Sequence, residues 1–285
     1  MKNRGKILLI AIPWLLTSLL YTKLMGQTAE PGSPFIKNYP PKVYDEVSVS
    51  PQNWAILRDD RGILYVANTE GVLEFDGMSW RMIKTPNNSI IRDLCKSGQG
   101  RIYIGASGEI GFLRADAQGE LQYASLLHLV PEAHKNFNDV RTVHCQGDST
   151  FFVTDQKIFI YQGDSVSVLA SQAAITAFVA NGQMFIRKPW GLFTVKAWQL
   201  ELLGGTAGMV FRNVVGYSGG RLLCNTVEQG WFILDYPNTQ TSGTYLLDNL
   251  ITPMSERFQD IMTNKNIASG IKIEPGKYAF GTFRN

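Results

Sequence analysis

The sequence predicts an all-β fold built from a repeated unit, and three observations predict it. A phrase of glycine, apolar run, second glycine and second apolar run recurs along the chain. A further short apolar segment precedes each copy. Glycine is abundant, 27 of 285 residues, and widely spread, as expected where many turns need positive φ. Apolar content of 45% and aromatic content of 11% suit a packed core and exclude a disordered chain.

Residues 1–26 stand outside the repeat. Lys2, Arg4 and Lys6 form a positive start, and Ile7 to Leu20 is an almost unbroken apolar run. That run falls short of the ~20 residues needed to span a bilayer. The layout is that of a cleavable secretory signal rather than a membrane anchor, with cleavage expected after Gly26. No cysteine follows the run, which argues against a lipoprotein. The segment carries four basic residues and no acid. Removing those four from the 27 basic residues leaves 23 against 24 acidic ones, a net charge of −1. The positive formal charge of the whole chain therefore comes from the export segment. It gives no ground for expecting nucleic-acid binding. A lead-in follows over residues 27–50, and the repeats occupy 51–285.

The clearest copy is GILYVANTEGVLEFDG, from Gly62 to Gly77. The phrase returns at Gly100, Gly182 and Gly220, more weakly at Gly147, and opens again at Gly276. Gly62 to Gly71 and Gly182 to Gly191 are both steps of nine, and 62 to 100 and 182 to 220 are both steps of 38. In front of the copies lie Asn53–Leu57, Ile90–Leu94, Val140–Val143, Ile175–Val179, Arg212–Val215 and Phe258–Met262, each expected as a strand. Trp80–Ile83 supplies a further strand after the first copy. Asp60-Arg61-Gly62 is a turn signal, because aspartate bonds the backbone ahead and glycine takes the left-handed position. Units of about 40 residues with four strands predict a β-propeller, because one blade cannot bury both faces of its sheet and stacked blades can. The expectation is about five blades and part of a sixth, from a seven-bladed ring.

The first blades resemble the two-component regulator propeller repeat. The resemblance rests on Trp54–Val66, Gly71–Gly77, Asn38-Tyr39, Tyr44-Asp45, Trp80 and Pro86–Leu94. It covers about residues 35–285 and weakens in the third copy, which lacks the second glycine. It implies a periplasmic sensor propeller of Bacteroidetes-type regulators. There a tyrosine-rich β-sandwich, a transmembrane helix and a LuxR-type helix-turn-helix or histidine-kinase output follow. Those downstream domains would be partners, and dimerisation of the full-length protein is compatible with the resemblance. The copy at Gly276 stops inside its hairpin, so the chain reads as the N-terminal part of a longer protein. The competing expectation is a six-bladed ring closed by a strand around Tyr39–Val49.

Chemistry-bearing residues are sparse. Cys95, Cys145 and Cys224 lie in or beside apolar runs at wide spacing, and are expected as buried free thiols. Three histidines (His128, His134, His144) form no ligand set with them. Gly216-Tyr217-Ser218-Gly219-Gly220 matches a nucleophile elbow, but it falls between two strands and no histidine follows it. Asp59-Asp60 reads as a turn pair, and Glu109 and Glu228 as solvated turn residues. No enzyme activity, metal or cofactor is expected. The expected function is sensing of a small molecule or oligosaccharide in the periplasm, with no direct nucleic-acid contact. A propeller lyase or hydrolase, and an adhesion scaffold, are the alternatives. Trp80, Trp190, Trp198 and Trp231 are the candidates for stacking on sugar rings.

Overall fold

A computed structural model describes residues 37–43, 50–174, 176–196, 198–236, 251–263, 265, 267–274 and 276–282. The expected signal segment and most of the lead-in lie outside these residues, as do residues 44–49 of the segment Tyr39–Val49 expected to close a six-bladed ring. The chain divides into Met1–Tyr39 and Pro40–Asn285. In the first part, the Lys37 ammonium lies 4.9 Å from the ring centre of Tyr39. The second part carries the repeats.

Five four-stranded antiparallel sheets follow one another, each with its strands in chain order. Blade one is β1 (Asn53–Arg58), β2 (Leu64–Asn68), β3 (Gly71–Phe75) and β4 (Trp80–Ile83). Blade two is β5 (Ile91–Lys96), β6 (Ile102–Ala106), β7 (Glu109–Ala115) and β8 (Leu121–Ser125). Blade three is β9 (Thr142–Gln146), β10 (Ser149–Val153), β11 (Lys157–Gln162) and β12 (Ser165–Ala170). Blade four is β13 (Thr176–Ala180), β14 (Gln183–Lys188), β15 (Gly191–Lys196) and β16 (Gln199–Leu202). Blade five is β17 (Phe211–Gly216), β18 (Leu222–Thr226), β19 (Gly230–Leu234) and β20 (Ile251–Pro253). A helix, α1 (Glu256–Thr263), then precedes a hairpin of β21 (Ile267–Glu274) and β22 (Lys277–Thr282). The first strands of successive units lie against one another from β1 through β21. This is the inner side of a propeller, and the count of five blades and part of a sixth agrees with the sequence.

The recurring phrase is the middle hairpin of each blade. Its strands are the most buried, because both their faces meet a neighbouring sheet: β6 is buried along its whole length, and β10 at four of five positions. The apolar clusters lie between blades. Tyr65, Val72 and Ile83 of blade one pack on Ile91, Ile104 and Leu113 of blade two. Tyr103 and Ile110 pack on Phe152 and Phe159 across the next interface, and Phe185 and Leu192 on Phe211 and Phe232 between blades four and five.

The second glycine of the phrase does more than turn the chain. Gly71 and Gly191 have φ of +151° and +150°. A Cβ at Gly71 would meet the Ile83 carbonyl at 2.6 Å, and one at Gly191 would meet the Leu202 side chain at 2.8 Å. The glycine thus lets the fourth strand close on the third.

Three expectations are corrected. Phe258–Met262 is not a strand but part of α1. Phe258 and Met262 are four residues apart, which puts both on one helical face, and they pack with Trp231. Cys95 and Cys145 are not free: they form a disulfide, with Cα atoms 6.0 Å apart. They lie on the neighbouring first strands β5 and β9, a pairing that sequence separation does not reveal. Cys224 alone is free and buried, as expected. Glu109 is not solvated but 3% exposed. Its Oε1 accepts hydrogen bonds from Ser125 Oγ at 2.7 Å and from the Ile110 amide at 3.1 Å. Burial raises its pKa despite the bond from Ser125.

Candidate functional site

The meander gives each blade two ends. One end carries the first-to-second and third-to-fourth strand turns. The other carries the second-to-third turns and the connections from blade to blade, and is called here the connection face. The tryptophan candidates divide between them. Trp80 and Trp198 stand at third-to-fourth turns, in blades one and four. Trp80 stacks on Phe75, with ring centres 4.5 Å apart, while Trp198 is exposed and has φ of +61°. Trp190 is exposed in the second-to-third turn of blade four, on the connection face. Trp231 is 1% exposed and packs edge-on against Phe258 and Phe280. The four do not converge on one surface.

The connection face brings together residues that the tryptophan list omits. The first strands of blades one, two and five each carry a bulge near their start. The register slips between Asn53 and Ala55, between Ile91 and Asp93, and between Phe211 and Asn213. The residue in each slip is Trp54, Arg92 and Arg212. A bulge releases a residue from the strict in-out alternation of a strand and re-aims its side chain. The Arg92 guanidinium lies 4.2 Å from the ring centre of Trp54. Its Nη2 pairs with Asp139 Oδ2 at 2.8 Å, and Ser107 Oγ donates to Asp139 Oδ1. One chain of contacts thus runs from blade one to the connection entering blade three.

Beside it lies a cavity of about 490 Å³, lined by Ser107, Gly108, Phe137, Asn138, Asp139, Arg141 and Asp155. Backbone hydrogen bonds hold its walls together. The Gly108 amide donates to Asn138 O at 3.1 Å, Val140 N to Ala106 O at 3.1 Å, and Arg141 N to Val153 O at 2.8 Å. The connection is therefore stitched to blade two behind it and to blade three ahead. Arg141 is exposed and Asp155 half-buried. Their charges, the Asn138 amide and the Phe137 ring give the cavity donors, acceptors and an apolar wall, as a site for a polar small molecule requires. A signal for this site existed in the sequence: Trp54, Arg92 and Arg212 hold the second position of equivalent strands.

The opposite face carries a turn network around Asp59. Its Oδ1 accepts the Arg61 and Ile63 amides at 2.9 and 3.0 Å, and its Oδ2 accepts Arg61 Nε at 2.9 Å. Burial pushes its pKa up, but these bonds outweigh burial and hold the carboxyl below its ordinary value. This is the turn role expected of Asp59-Asp60. Ser218 lies in a short 3₁₀ turn between β17 and β18, not at a strand-to-helix elbow. Among the described residues, no group of three or more histidines, cysteines or carboxylates is placed to hold a metal.

Comparison with solved structures agrees on the architecture. A catalytically inactive virginiamycin B lyase from Staphylococcus aureus, crystallised with quinupristin, superposes with a TM-score of 0.56 at 9% identity, over 82% of this chain and 78% of that one. The WD40 β-propeller domain of Doa1 gives 0.49 at 12% identity, over 66% of each chain. The extracellular domain of the putative hybrid two component system BT4673 from B. thetaiotaomicron is also a neighbour, with a TM-score of 0.46 at 16% identity. This chain is covered over 84% of its length there and spans 38% of that domain. No protein-family model and no curated protein sequence matches the chain.

Proposed function

We propose that this chain is an exported, ligand-binding propeller of sensor type, which takes a small polar molecule or oligosaccharide on its connection face. The observation that carries the reading is the cavity between blades two and three. It joins side chains of both blades, and the Trp54–Arg92–Asp139 chain flanks it. A ligand held there touches two blades at once, so its binding energy couples to how they pack. That is the property a sensor needs. The basic, apolar N-terminus and the repeat resemblance support export to the periplasm and a place ahead of membrane and output domains in a longer protein.

The same geometry favours binding over catalysis. The one hydroxyl–carboxylate pair lining the cavity, Ser107 and Asp139, has its carboxylate charge paired with Arg92, and neither a histidine nor a lysine is among the lining residues to serve as a general base. The lyase neighbour shares the fold at 9% identity, and fold alone does not carry chemistry.

A glycan array on the purified protein tests the reading, followed by titration calorimetry with any hit. The expected result is a binder recovered chemically unchanged, with affinity reduced about tenfold or more by Arg141→Ala or Trp54→Ala. Both side chains are exposed, so folding should survive. A hit converted to product, or affinity indifferent to both changes, would overturn it.

A further inference from the structure

Arg141 and Asp155 line one cavity with opposite charges that do not meet. Among the described residues, neither side chain makes an ion pair or a hydrogen bond. Their backbones are nonetheless fixed close together. The Arg141 amide donates to the Val153 carbonyl at 2.8 Å, and Asp155 follows shortly after Val153, in the turn that joins β10 to β11. That turn is closed from within. Thr154 Oγ1 accepts the Lys157 amide at 2.9 Å, and the Thr154 amide donates to the Lys157 carbonyl at 2.8 Å. The Asp155 carbonyl also accepts the Ala174 amide at 3.0 Å, from the connection to blade four. The two charges thus stand on fixed, neighbouring stretches of blade three without joining.

The rest of the lining is neutral in sum. Asp139 is paired with Arg92. Asn138 is exposed, and among the described residues its side chain has no hydrogen-bond partner. The Phe137 ring packs on Phe159 with ring centres 4.6 Å apart, and Lys157 Nζ holds the preceding Asn136 carbonyl at 2.9 Å. The cavity therefore offers one cation, one anion, a free amide and an anchored apolar wall. A ligand with a single charge is attracted by one of the two charged groups and repelled by the other. A neutral ligand that displaces water from them leaves both desolvated and unpaired. A ligand with both charges satisfies the two together, since a guanidinium binds a carboxylate through paired N–H bonds and a carboxylate accepts from an ammonium.

We propose that this cavity is a zwitterion site: it takes a small ligand whose carboxylate meets Arg141 and whose ammonium meets Asp155. An amino acid or short peptide has that chemistry, and so does a saccharide that carries a free amine and a carboxylate. The proposal rests on the reading of this cavity as the ligand site and adds the charge pattern of the ligand to it.

Calorimetry of the purified protein tests it with two sets of probes. One is a panel of the common amino acids and a set of dipeptides. The other is a hexosamine–uronate disaccharide with its amine free. In each set, N-acetylation removes the positive charge and amidation removes the negative one. The expected result is that at least one zwitterion binds, about tenfold or more tighter than either of its singly charged forms. The set that binds identifies the source of the ligand. Arg141→Gln should erase the preference for the acid over its amide, and Asp155→Asn the preference for the free amine over its N-acetyl form. Both changes keep side-chain size at positions without side-chain partners, so folding should survive. Three results overturn the proposal: a singly charged form bound as tightly as the zwitterion, preferences unmoved by both changes, or no zwitterion bound from either set. If a neutral glycan then binds in an Arg141-dependent manner, the zwitterion site fails while the proposed function stands. A zwitterion bound with no dependence on Arg141, Asp155 or Trp54 would sink both.

Discussion

Asp93 shows how one residue ties two blades together and makes their contact depend on pH. Its Oδ2 accepts the Val143 amide of the next blade at 2.7 Å, and its Oδ1 accepts the Leu94 amide at 2.9 Å. Burial raises its pKa from 3.8 to about 6, against those two bonds. The folded chain therefore holds this proton where the unfolded chain has released it. The resulting stabilisation is full at low pH and is lost as pH rises through about 6, by up to about 3 kcal/mol. Asp93→Asn keeps a carbonyl acceptor and removes the charge. Urea unfolding should show the variant more stable than the parent at pH 7.5, with a flatter slope between about pH 4 and 6.5. An unchanged slope would contradict this. Gly71 is the second case. Gly71→Ala adds a Cβ 2.6 Å from the Ile83 carbonyl at a φ of +151°, and should cost at least about 2 kcal/mol in the same assay. The equivalent change at the open turn position Gly182 meets nothing within 4 Å and should cost less, through its φ of +77° alone.

At the level of elements, the sequence made the middle hairpins legible and hid what joins them. The glycine phrase marks β2–β3, β14–β15 and β18–β19, because turns impose a local requirement on one residue. It did not show that Phe258–Met262 would be helical, since a short apolar run fits either periodicity and its partner, Trp231, lies far away in sequence. It also did not pair Cys95 with Cys145, because their proximity follows from the packing of β5 on β9 and not from spacing. The disulfide closes a loop with a sequence separation of 50. By loop entropy, Cys95→Ala with Cys145→Ala should lower stability by as much as about 4 kcal/mol. Thermal unfolding with and without a reductant gives the check: the parent should lose stability on reduction and the double variant should not change.

For the whole molecule, the succession of blades was readable and the surface proposed here for binding was not. The tryptophan candidates were chosen by residue type. The structure scatters them over both ends of the blades and into the core. The connection face gathers Trp54, Arg92, Asp139 and Arg141 because bulges and connections occupy equivalent places in neighbouring blades. In the sequence this gathering is marked only by the second position that Trp54 and Arg92 share in their strands, and its joining to Asp139 and Arg141 appears once the repeats are stacked. The account's central claim is that ligand engages this face. Hydrogen–deuterium exchange of the purified protein, with and without the tightest oligosaccharide from the array, tests it most directly. The account predicts slowed exchange in the turn at 107–108, the connection at 137–141 and the turn at 154–156, with the opposite turns at 59–62 and 97–101 unchanged. Protection confined to 59–62 and 97–101, or none at the connection face under saturating ligand, would contradict it.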